Sequence, residues 1–162
     1  MGDVQVSDLA WVGEHPYDAK TGEGAVGVEL AGTAVSSTGV RGTLAYAREQ
    51  AAYRVGNSTA LQWNDGYYRG YFVVSARADR LDARYYGAPT VARRQSWELP
   101  LANFTVRAGD NRLRRPVAGG AVEAGHLKVG DTRPSNLSVD TSTGAWDVVG
   151  FDVMYLNTSA TH

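Results

Sequence analysis

The sequence predicts a mainly β chain of the α+β kind, with antiparallel pairing and one short helix. Three observations predict it. Most periodic segments are short, β-branched or aromatic, and end in glycine-rich turns. Only one stretch, 43–55, is dense in helix formers. The 162 residues are 43% hydrophobic and 20% charged, which suits one folded domain with its own core.

The elements follow in order. Residues 25–30 are apolar and bounded by Gly24 and Gly32, a pattern that predicts a buried strand. Residues 43–55 predict the helix, capped by Thr43 at its start and by Gly56 at its end. Leu44, Ala47, Ala51 and Val55 share one face of it and predict a core stripe. Residues 70–76 and 81–86 predict a hairpin turning near Ala78-Asp79. Residues 101–107 alternate Leu101, Asn103, Thr105 against Ala102, Phe104, Val106, and stop at the turn 108–111. Residues 121–128 predict a short strand, and 136–139 with 145–149 a further hairpin. Gly22-Glu23-Gly24 and Gly119-Gly120 read as turns. Nothing indicates a second domain or a repeat, so 1–162 is expected to be one domain.

Residues 61–72 concentrate four aromatic rings after Trp63 and surround Arg69 with Gly66 and Gly70. Two readings stand side by side. One is a hairpin strand with an aromatic face. The other is a ligand site in which Arg69 grips a phosphate with two hydrogen bonds and tyrosines line the pocket.

Composition excludes several classes. Net charge is −1 with acids and bases interspersed, which argues against duplex nucleic-acid binding. Arg112, Arg114 and Arg115, and Arg93-Arg94, are local exceptions that read as solvated loops. No apolar run approaches a membrane span, and no secretion signal is expected within the stretch 1–162. There is no cysteine, hence no thiolate site. His15, His126 and His162 show no metal-ligand spacing and read as structural or solvated.

Six segments, taken together and in order, resemble the alkaline phosphatase D (PhoD-like) metallophosphatases, most closely the secreted fungal type. They are 6–11 (Val-Ser-Asp-Leu-Ala-Trp), 26–37 (Val-Gly-Val-Glu-Leu-Ala-Gly-Thr-Ala-Val-Ser-Ser), the run 61–72, 96–106, 111–120 and 150–155. The likeness spans nearly the whole chain and corresponds to about the last third of such an enzyme. It implies phosphoric-ester hydrolysis, on monoesters or diesters, by a cluster of calcium, iron or zinc ions that activates water.

It also implies an incomplete site. The family's last ligand motif reads Gly-Asp-x-His-x-x-Trp, with Val-Ser-Asp-Leu close behind. Here Gly2-Asp3-Val4-Gln5 stands in that place, Gln5 replaces the histidine, and the spacing to Val6 is three residues short. Asp3 is the one metal ligand carried over. The expected function is therefore the C-terminal part of a PhoD-like phosphatase, not catalytic alone and binding no metal by itself. Residues 1–90 would end the catalytic β-sandwich and 91–162 would form a β-rich extension. Met1-Gly2 stands where the family is still in mid-domain. Strands whose partners are missing would leave open edges, inviting self-association.

Arg69, with Tyr68 and Tyr71, is expected nearest the substrate phosphate, and Ser36 and Ser37 are further candidates for phosphate hydrogen bonds. Four of the six asparagines, Asn57, Asn103, Asn136 and Asn157, lie in Asn-x-Ser/Thr sequons. They point to a secreted, glycosylated parent. The alternative function is a secreted, glycosylated, non-enzymatic β-rich binding module.

Overall fold

The structure is a computed structural model that describes residues 4–10, 16–34, 43–88, 91, 98–133, 137–139 and 146–148. Its elements run β1 (Val4–Ala10), β2 (Ala25–Ala31), α1 (Leu44–Asn57), β3 (Leu61–Asp65), β4 (Arg69–Ala76), β5 (Arg80–Ala88), β6 (Leu99–Arg107), a short turn of 3-10 helix (Val117–Gly120), β7 (Ala121–Val122), β8 (His126–Leu127), β9 (Asp131–Thr132), β10 (Leu137–Val139) and β11 (Trp146–Val148). Among the described residues, the chain is mainly β with one α-helix, as expected.

One sheet has the order β2-β1-β3-β8 and a second the order β4-β5-β6. Every pairing within them is antiparallel. Two small pairs complete the set: β7 with β9, parallel, and β10 with β11, antiparallel. The larger sheets meet through aromatic rings. Trp63 of β3 is fully buried, with its ring 5.2 Å from Tyr85 of β5 and 5.4 Å from Phe104 of β6. Phe72 stacks on Tyr85 at 4.8 Å. Rings of this size dominate core energetics, and edge-on contacts add to their burial. The Trp63 indole N–H donates to Ala124 O at 2.9 Å, so the polar end of the ring is satisfied inside the core.

The helix begins as predicted. Thr43 accepts the Tyr46 N–H at 3.2 Å, and Leu44, Ala47, Ala51 and Val55 are its buried residues. Its end differs. Gly56 lies inside the helix, which runs on to Asn57 and stops at extended Ser58. The terminal carbonyls need no left-handed glycine because the Lys128 ammonium donates to Val55 O and Ser58 O. Burial among those carbonyls holds the Lys128 pKa below its ordinary value.

Other boundaries also correct the expectation. Residues 61–72 do not form one hairpin strand. They supply β3 to one sheet and the start of β4 to the other. The stretch 121–128 splits into β7 and β8, because Gly125 turns the chain at φ +72° against β3. A Cβ there would sit 2.2 Å from Asn64 O, so only glycine fits. The hairpin of β4 and β5 turns at residues 77–79, as predicted. β10 and β11 pair as the predicted final hairpin, and the loop between them lies outside the described residues.

Candidate functional site

Aromatic residues carry the chain out of β3 and into β4, and one carboxylate shapes that crossover. Asp65 ends β3, and its Oδ1 accepts the N–H of Tyr67 at 2.8 Å and of Tyr68 at 3.0 Å. A short carboxylate bonding amides two and three residues ahead is what makes aspartate a turn former. Residues 61–70 are buried throughout. Burial pushes the Asp65 pKa up, against the two amides and the charges of Arg69 and Arg48.

Arg69 opens β4 and is only 4% exposed. Its Nη1 donates to Thr33 Oγ1 at 2.6 Å and its Nη2 to Gly66 O at 3.0 Å. The guanidinium thus links the segment after β2 to the crossover between the sheets. Gly70, beside it, passes so near β5 that a Cβ would lie 1.9 Å from Tyr86 O. Arg48 adds a second cation from the helix, its Nε buried without a hydrogen-bond partner among the described residues.

The tyrosines expected beside Arg69 diverge. Tyr68 is 5% exposed, packs edge-on against Tyr67, and has its pKa raised by burial. Tyr71 is exposed, stacks on Tyr86 at 5.5 Å, and donates its hydroxyl to Glu98. Asp3, Ser36 and Ser37 lie outside the described residues, as do Asn136 and Asn157. Asn57 and Asn103 are exposed, at the end of α1 and on β6.

The strongest charged cluster was not foreseen. Asp8 of β1 is fully buried. Its Oδ1 accepts the Leu113 N–H at 2.8 Å, and its Oδ2 accepts from Tyr17 Oη at 2.9 Å and Arg115 Nη2 at 2.7 Å. Arg115 also donates to Leu113 O, Ala19 O and Lys20 O. Gln62 donates to Tyr17 Oη at 2.9 Å, closing the network onto β3. Arg115 is therefore no solvated loop residue; an uncompensated carboxylate at Asp8 requires it. The available signal was Asp8 itself, two positions after Val6 in an alternating strand and so on the same buried face.

A protein-family model for PhoD-like phosphatases matches residues 3–85, just over half of the chain. The chain belongs to the PhoD-like phosphatase family. No curated protein and no solved structure matches it. The match covers the first sheet apart from β8, the helix, the Asp65–Arg69 crossover and most of the β4–β5 hairpin.

Phosphatases of this family generally depend on metal ions, so the described residues of this PhoD-like chain must be weighed as ligands. Among them, no group of three or more His, Cys, Asp or Glu side chains is placed to hold an ion. Both Asp8 oxygens are occupied, and Asp65 Oδ1 takes two amides. His126 stands on β8, paired with Asn64, its imidazole pKa lowered by burial. Among the described residues, these side chains do not fit a catalytic metal cluster.

Proposed function

We propose that the chain is the C-terminal part of a PhoD-like, metal-dependent phosphoric-ester hydrolase, supplying one wall of the site and not catalysing hydrolysis alone. The observation that carries this is the family match over residues 3–85; among the described residues, no three or more possible ligands gather at one point. A catalytic metal cluster needs several acidic or imidazole ligands converging on one point. In this reading Asp3 is the one ligand contributed from this chain, and the calcium, iron or zinc ions are held mainly by the N-terminal part of the enzyme. Residues 1–90 complete the catalytic sandwich and 91–162 form the extension.

Arg69 as the group nearest the ester phosphate, with Tyr68, Tyr71, Ser36 and Ser37 around it, is part of the same proposal. In its favour, Arg69 has its guanidinium plane set by Thr33 and Gly66, beside a second cation at Arg48. Against it stand that same commitment and its burial. Co-expression with the N-terminal part of a PhoD-like enzyme tests the whole reading. Metal-dependent hydrolysis restored only in the joined protein supports it; no gain over the N-terminal part alone rejects it.

The open edges belong to this reading. β4 borders its sheet and exposes Tyr71, Val73 and Val74, while β2 borders the other and exposes Val26. With the N-terminal part absent, these edges are expected to drive self-association, which sedimentation measures. A secreted, glycosylated parent is part of the same proposal, supported by the four sequons, and a mobility shift on deglycosylation of the protein from a secreting eukaryotic host checks it.

A further inference from the structure

A hollow of about 240 Å³ lies where β6 turns back on itself, lined by Thr21, Arg107, Asp110, Arg112, Leu113, Arg114 and Arg115. We propose that it binds a small tetrahedral oxyanion, inorganic phosphate or the phosphate group of a monoester, apart from the Arg69 crossover.

The charge balance points there. The Arg115 charge is matched by Asp8. Arg107, Arg112 and Arg114 remain, with Asp110 the only acid in the lining, a surplus of two positive charges. Among the described residues, none of these three guanidinium groups makes a side-chain hydrogen bond or ion pair. Like charges held together repel, and an anion relieves that repulsion.

The frame is fixed before any ligand arrives. The Ala108 N–H donates to Asp79 O at 2.9 Å, the Asp110 N–H to Arg107 O at 3.1 Å and the Arg114 N–H to Thr105 O at 2.8 Å. Leu113 bridges Val106 and is 1% exposed, so it anchors the segment inward while its neighbours Arg112 and Arg114 turn to the other side. Gly22, at φ +76°, brings the 16–24 loop against Arg112; a Cβ there would lie 3.1 Å from Arg112 Cδ. Guanidinium groups on such a frame suit phosphate oxygens, which accept paired N–H bonds from a planar donor. The near-neutral net charge of the chain argues against a polyanion track.

Calorimetric titration of the intact chain with inorganic phosphate, without metal and at constant ionic strength, tests the site. One saturable site with a dissociation constant on the order of 1 mM is expected. Arg112→Ala and Arg114→Ala should each weaken it roughly tenfold, the usual worth of one charge-assisted contact. Sulfate should compete and chloride should not. Arg77→Ala, on the β4–β5 turn, should leave it unchanged. The Arg112 and Arg114 variants should keep their melting temperature, since neither side chain bonds the fold. Non-saturable heats, equal competition by chloride, unaltered affinity in both variants, or loss on Arg69→Ala instead would each overturn the proposal. The experiment needs no hydrolysis, so its outcome is separate from that of the phosphatase reading.

Discussion

Arg115 Nη2 lies 2.7 Å from Asp8 Oδ2, joining two residues 107 positions apart in the chain. The carboxylate is fully buried, while the arginine side chain keeps 19% of its surface exposed. The pair fastens β1, at the centre of its sheet, to the segment after β6. Arg115→Ala leaves a buried carboxylate and is expected to destabilise the fold by ~3–5 kcal/mol. Arg115→Lys should recover only part, because a point charge does not reach the carbonyls of Ala19, Lys20 and Leu113 together. Urea unfolding measures both; a loss below ~1 kcal/mol for the alanine variant would class the pair with exposed ones.

Tyr17 gives this network an alkaline limit. Burial, then the Asp8 charge, push its phenol from 10.0 up to about 12. A folded pKa above the unfolded one contributes stability that is complete below pH 10 and is lost as pH rises towards 12. Melting temperature should fall over that window and fall less steeply in Tyr17→Phe. Equal slopes for the two proteins would detach Tyr17 from the effect.

Tyr85 predicts a substitution in the opposite direction. Its ring packs against Trp63, Phe72 and Phe104, but its hydroxyl is buried with no hydrogen-bond partner among the described residues. Tyr85→Phe keeps the ring and removes the orphaned group. It is expected to stabilise the fold by about 1 kcal/mol, or at least not to harm it. A drop of more than ~1 kcal/mol in thermal unfolding would reveal a bond that the hydroxyl makes.

Local signals carried much of this fold. The helix face of Leu44, Ala47, Ala51 and Val55, the Thr43 cap and the turn at residues 77–79 depend on neighbours in sequence, and so were legible. The end of the helix was not, because Lys128 closes it from 73 residues beyond Val55. The exchange of sheets within 61–72 was hidden too. Alternation marks a strand but does not say which sheet it joins. Of the candidate site, the gathering of rings and glycines around Arg69 was visible in its composition. Thr33 as its partner, and Asp8 with Arg115, were invisible because each contact joins residues remote in sequence.

Arg69→Ala separates two roles in the joined enzyme. If Arg69 meets the substrate phosphate, inhibition by inorganic phosphate should weaken by ~2–4 kcal/mol in binding energy, with partial rescue by lysine. If it only holds Thr33 and Gly66 together, melting temperature should fall and phosphate inhibition should stay as it was. The two quantities are measured on one variant, so neither outcome hides the other.

The central claim is tested most directly by assaying the chain alone, with calcium, iron or zinc supplied, on a generic phosphomonoester and a generic phosphodiester. The account predicts no metal-dependent turnover, since the described residues gather no catalytic ligand group and the proposal leaves this chain only Asp3 as a ligand. Turnover that survives repurification and vanishes in Asp3→Ala would contradict it.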